Sequence, residues 1–197
     1  MKKLVPIALA WLALAMPAAA DKLSLNAISA YLNDLTQGKG VFTQINDDGT
    51  ISTGTIYLKR PGKMRFEYDP PTAALVMVGN GSVGVFDTKM QTVEQYPLNR
   101  TPLSIILAAQ VDLGRADMVT GHSYDGTATI VTAQDPEHPE YGNIQLKFTD
   151  NPVELRQWVV NDDSGSSTTV VLGAMDRTAR LPNSLFAVSQ EAEKYRN

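Results

Sequence analysis

The run GTIYLKRPGKMRFEYDPP, residues 54–71, decides the fold. Ile56 and Leu58 alternate with Thr55, Tyr57 and Lys59, and Met64, Phe66 and Tyr68 alternate with Arg65 and Glu67. Side chains change faces with a period of two along a strand, so both halves read as half-buried strands joined at Arg60-Pro61-Gly62-Lys63. By the same count Arg60 continues the face of Ile56 and Leu58. A guanidinium on an apolar face either reaches back to solvent along its stem or must find buried acceptors to offset desolvation. In the second case its several donors could bond the carbonyls of a covering helix and hold a cavity shut.

Strands continue on both sides of this pair. Residues 41–46 alternate, Asp47-Asp48-Gly49 forms a hairpin turn, and residues 51–59 lead into the opening run. Beyond Asp69-Pro70-Pro71, which interrupts any ladder, residues 74–78, 82–86 and 92–96 form three more short strands separated by turn residues. The second half adds strands over 127–133, 143–149, 153–161 and 167–174, with Ile144, Leu146 and Phe148 giving the cleanest alternation.

Two stretches carry a helical period instead. Leu25, Ile28, Leu32 and Leu35 recur at spacings of three and four, with Ser24 or Asn26 to cap the start and Gly38 to end the helix. Thr101-Pro102 opens a second helix of about ten residues carrying Leu103, Ile106, Leu107 and Val111, with a further turn over 114–118. The tail from Ser189 is polar and reads as loose. Sequential hairpins favour an antiparallel sheet, and about ten strands must curl. The resulting fold class is mainly β with helices (α+β), the helices lying on the concave side.

The 197 residues are 43% hydrophobic and contain no cysteine. That is room for one core in one domain. Lys2 and Lys3, the apolar run 4–15 and Ala18-Ala19-Ala20 form a secretory signal peptide, residues 1–20, with cleavage before Asp21. Losing the two lysines takes the formal charge from −4 to −6, leaving no basic surface for nucleic acid. Without cysteine there is neither a disulfide nor a lipid attachment site behind the signal, so residues 21–197 should be a soluble exported domain.

Motifs that usually signal chemistry do not do so here. Gly79-Asn80-Gly81-Ser82-Val83-Gly84 has dinucleotide-site spacing but runs on as strand, whereas a pyrophosphate needs the N-terminus of a helix. Asp135, Glu137, His138 and Glu140 lie in a proline-bounded loop, short of the ligand set zinc requires. No serine sits in a nucleophile elbow and neither His122 nor His138 has an evident partner. Twenty-one acidic residues leave a paired-carboxylate hydrolase open, with no pair nominated.

The opening run, with Gly40-x-Phe42-x-Gln44 before it, Asn80-Gly81 leading to Val85-x-Asp87, and Tyr96-Pro97-Leu98 followed by Thr101-Pro102-Leu103, resembles the signature of the LolA family of periplasmic outer-membrane lipoprotein carriers. The resemblance extends in order through Leu185-Phe186. It implies an incomplete, strongly curved antiparallel β-barrel with a helical lid over an apolar cavity. It also implies a non-enzymatic carrier needing no cofactor or metal. Such a carrier, a monomer, collects acylated lipoproteins from an inner-membrane ABC transporter of the LolCDE type and delivers them to the outer membrane, commonly through a LolB-type acceptor. Arg60 falls on the family arginine that bonds lid backbone. Ile56, Leu58, Met64, Phe66, Leu103, Ile106 and Leu107 are the expected cavity and lid residues. A same-fold binder or sensor of another lipid or glycolipid, and a lipid or cell-wall hydrolase, are the alternatives.

Overall fold

The computed structural model describes residues 22–115 and 117–195; the signal-peptide segment lies outside them. In chain order the elements are α1 (Leu25–Asp34), β1 (Gln37–Ile45), β2 (Ile51–Lys59), β3 (Lys63–Tyr68), β4 (Ala74–Gly79), β5 (Ser82–Asp87), β6 (Thr92–Pro97), α2 (Leu103–Leu107), β7 (Val119–Tyr124), β8 (Thr129–Gln134), β9 (Asn143–Thr149), β10 (Glu154–Asn161), β11 (Ser167–Leu172) and α3 (Val188–Glu193). All eleven strands join one antiparallel sheet in the order β6-β5-β4-β3-β2-β1-β11-β10-β9-β8-β7. Every neighbouring pair is a sequential hairpin except β1 with β11, which welds two meanders into one sheet. Among the described residues β6 and β7 do not pair, so the curved sheet stays open.

The register puts the alternation to use. Ile56 lies opposite Phe66 and Leu58 opposite Met64. These inner-face residues form one core with Ile28 and Leu32 of α1, its C-cap Leu35, and Ile105, Ile106 and Leu107 of α2. A second, smaller core lies on the outer face, where Leu75, Met77 and Phe86 meet Val188 and Ala192 of α3. The tail is therefore not loose: an apolar pair at i and i+4 within a polar sequence docks it on the sheet.

The three glycines of the dinucleotide-like motif have separate structural causes. Asn80 and Gly81 take φ of 50° and 74° in the two-residue β4–β5 hairpin, the left-handed pair such a turn demands. Gly79 and Gly84 face the tail, where a Cβ on the first would run into the Phe186 carbonyl oxygen and one on the second would meet Val188 Cγ1 at 2.9 Å.

Ser24 caps α1, its Oγ accepting from Ala27 N at 3.1 Å, but α1 ends at Asp34 and Gly38 lies inside β1. Strand β7 was not anticipated, because VTGHSY is polar, carries a glycine and is irregular between Val119 and Gly121. Its edge serves α1 nonetheless. His122 Nε2 lies 2.8 Å from the Leu23 carbonyl, and Leu23 N donates to the buried Thr129 Oγ1 at 2.8 Å.

Gly79→Ala should force the tail off β4, because the obstructing atom is backbone. The expected loss is about 1–3 kcal/mol, read as a lower urea midpoint together with faster proteolysis after Pro182. Unchanged values for both would contradict the close approach.

Candidate functional site

Between α1, α2 and the inner face of the sheet lies a narrow apolar gap of about 20 Å³. Ile56, Leu58 and Met64 line it with Arg60 from the β2–β3 hairpin, and Ile106 closes it from α2. Tyr31 and Leu32 of α1, its C-cap Leu35, Leu155, Trp158 and Leu172 from the other half of the sheet, and Met175 just beyond β11 complete the wall. Met175 has its place because Gly38 and Gly40 lack side chains; their Cβ atoms would lie 2.9 Å from its Cε and 2.6 Å from its Sδ. A thioether adapts to irregular apolar space. The volume is a small fraction of the roughly 300–1,000 Å³ of ordinary small-ligand pockets, so in this state the cover fills the cavity with its own side chains.

The hairpin holds that cover down. Arg60 Nη2 donates to the Ala108 carbonyl at 2.6 Å, and Gly62 N donates to the Leu107 carbonyl at 2.9 Å. These are the last carbonyls of α2, which have no partner within so short a helix. The guanidinium also approaches Asn33 Oδ1 of α1 at 3.5 Å, while its own backbone N donates to Thr36 O at 2.7 Å. Burial pushes its pKa below the usual value, and its Nε is buried with no hydrogen-bond partner among the described residues. The arginine is thus tied but only partly satisfied, a condition that costs about 1–3 kcal/mol per buried orphan donor.

The segment after α2 differs from the expected ten-residue helix. Thr101 does not cap it; its Oγ1 donates back to Leu98 O at 2.8 Å, and Pro102 takes the N-cap position. The helix stops at Leu107 because the next backbone groups have tertiary partners. Asn33 clasps Val111 from both sides, Nδ2 donating to its carbonyl at 2.8 Å and Oδ1 accepting from its N at 2.9 Å. Ser29 Oγ accepts from Leu113 N at 2.9 Å. Residues 114–118 form no helix among those described. The hairpin and α1 therefore share hold of one covering segment.

Of the residues singled out from sequence, Ile56, Leu58, Met64, Ile106 and Arg60 line the gap. Phe66 and Leu107 are buried in the surrounding core, and Leu103 is half-buried at its margin. Phe66 stacks edge-on against Phe42 and Trp158. Asn33, Ser29, Trp158, Leu155 and Met175 went unrecognised. Leu155 and Trp158 both point inward although three residues apart, because a bulge between Leu155 and Gln157 shifts the phase of β10. Asn33 carried no signal, being one polar residue on a helix end. His138 and Glu140 pair at 3.0 Å in an exposed loop, with the imidazole stacked on Tyr141.

The chain thus has an open, curved antiparallel sheet whose apolar concave face carries a short helical cover. The chain belongs to the family of the outer membrane lipoprotein carrier protein LolA, whose model matches residues 33–189. An outer-membrane lipoprotein carrier protein of Coxiella burnetii is 28% identical over 169 residues, covering 81% of this chain and 79% of the relative. One from Azotobacter vinelandii is 23% identical over 179 residues, 86% of each. Among solved structures, a domain from Vibrio parahaemolyticus assigned to outer membrane lipoprotein sorting superposes with a TM-score of 0.51 at 10% identity, covering 89% of this chain and 98% of that one.

Asn33→Ala leaves both Val111 groups unpaired and should cost about 1–3 kcal/mol. Hydrogen exchange should quicken at Val111 and Leu113 ahead of the strands; uniform exchange would mean the clasp is unimportant. A second outcome concerns pH. Tyr68 donates to Gln44 Oε1 at 2.6 Å, and burial pushes its pKa up to about 12. Because the unfolded phenol ionises near 10, its contribution is full below that pH and is lost as pH rises toward 12. The loss is on the order of 2 kcal/mol. Tyr68→Phe should flatten the alkaline side of a urea-stability profile measured between those limits.

Proposed function

We propose that this chain is a periplasmic carrier that takes the acyl chains of lipoproteins released from the inner membrane and delivers them to the outer membrane. It works as one exported domain after cleavage of residues 1–20, without cofactor or metal and without chemical change to its cargo. The inner-membrane donor is an ABC transporter of the LolCDE type, and the recipient is the outer membrane or a LolB-type acceptor. Family membership and the names of the relatives support the cargo class. No helix among the described residues is long and apolar enough to cross a membrane.

The observation that carries this reading is the pair of bonds from the Arg60–Gly62 turn to the carbonyls of Leu107 and Ala108, set over an apolar wall. Each methylene kept from water contributes about 0.8 kcal/mol, so a lipoprotein's acyl chains cost tens of kcal/mol to expose. A carrier must offset most of that and still surrender the chains. With the cavity collapsed, ligand entry must break the Arg60 and Gly62 bonds and displace Ile106. The cost of opening lowers net affinity below that of a bilayer. Arg60 acts as the latch, and Ile56, Leu58, Met64, Phe66, Leu103, Ile106 and Leu107 receive the chains.

Purified protein added to proteoliposomes holding a lipoprotein and its releasing transporter should yield a soluble one-to-one complex with intact cargo. Hydrolysed cargo, or none released, would overturn the carrier reading. Arg60→Leu removes the latch from the closed state. It should load at least as well as the parent and hand cargo on at least about tenfold more slowly, the equivalent of 1.4 kcal/mol. Normal transfer by this variant would reject the latch.

A further inference from the structure

A second cavity of about 280 Å³ opens beside the apolar gap, between the C-terminal end of α1, the β9–β10 turn and the chain leaving β11. Tyr31, Leu155 and Met175 line both spaces, so these three side chains form the partition between them. The outer space is of a different character. Arg177 lies 5.1 Å above the Tyr31 ring and pairs with Asp34 at 2.6 Å, and Arg156 pairs with Glu154 at 3.0 Å. The bulge between Leu155 and Gln157 inserts Arg156 as an extra residue at the groove wall while keeping Leu155 on the apolar side. Bulges re-aim side chains in this way beside binding sites.

We infer that this groove is the port through which an acylated ligand keeps its head in water-accessible space while its chains enter the apolar gap. The head it fits is neutral and rich in carbonyls and amides, that is, the glyceryl ester and adjoining peptide of an acylated cysteine. Resting on the carrier reading above, the inference assigns the residues that meet the polar part of the cargo. The physical basis is charge balance together with amphipathic continuity. Each arginine is already matched by a carboxylate, so the groove has no uncompensated cation to favour a phosphate. Guanidinium N–H groups still outnumber the bonds they make to Asp34 and Glu154, and can donate to ester and peptide carbonyls. Tyr31 suits the partition because its ring is apolar and its hydroxyl polar.

The test uses a synthetic diacylglyceryl-cysteinyl peptide carrying benzoylphenylalanine beside the acylated residue. Trp158, which lines the apolar gap, reports loading by fluorescence, and photocrosslinks are then mapped by peptide mass. Crosslinks to Pro152–Arg156, Tyr31 or Arg177 are expected. Loading with crosslinks confined to α2 or to the β2–β3 hairpin would overturn the port and leave the carrier reading intact. Failure to load would sink the carrier reading, and the port with it. A second measurement compares this lipopeptide with a long-chain alcohol. Val153→Trp, which fills the groove, should reduce the preference for the lipopeptide about tenfold; an unaltered preference would overturn the assignment.

Discussion

A guanidinium placed among apolar side chains must be bonded or removed from them, and much of the inner architecture follows from how Arg60 meets that demand. At the end of β2 it forms no ion pair among the described residues. Besides Asn33 Oδ1 at 3.5 Å, the acceptors the hairpin meets are carbonyls that α2 cannot satisfy itself. Arg60 and Gly62 take two consecutive ones, Ala108 and Leu107. A helix of five residues has little stability of its own, so the hairpin effectively decides where α2 rests.

That arrangement seats the cover on the same surface to which the carrier proposal assigns the acyl chains. In the closed chain Ile106 and Leu32 occupy space that faces Ile56, Leu58 and Met64, leaving about 20 Å³ between them. The closed state is not fully satisfied, since Arg60 Nε has no partner among the described residues. Asn33 and Ser29 extend the linkage to α1, binding it to the segment behind α2. The two helices are therefore linked through Asn33 and Arg60.

The outer face is packed independently of the inner one. The tail crosses β2, β3 and β4, with Lys59 Nζ donating to Leu181 O at 2.7 Å and Arg65 Nη1 to Leu185 O at 3.2 Å. Phe186 and Val188 settle where Gly79 and Gly84 leave room. The strands that carry the hairpin are thus packed on both faces, by the tail behind and by the two helices in front.

Much of this could be read from local pattern. Alternation in residues 54–68 assigned the faces of β2 and β3 and put Arg60 beside Ile56 and Leu58, because side-chain direction in a strand depends only on parity. The apolar spacing of α1, a cap at Ser24 or Asn26 and the antiparallel meander were legible for similar reasons, whereas the incomplete barrel was implied only by the family resemblance. What the chain alone did not reveal depends on partners distant in sequence. Helix α2 ends at Leu107 because Arg60, Asn33 and Ser29 claim the backbone beyond it. Trp158 faces the cavity because a bulge changes parity within β10, and the tail is ordered because two of its small apolar residues find Phe86. The sequence by itself determined which faces are apolar and where the charge intrudes. Only the tertiary structure decided which carbonyls answer that charge, since hydrogen-bond partners are selected by proximity in space and not by periodicity along the chain.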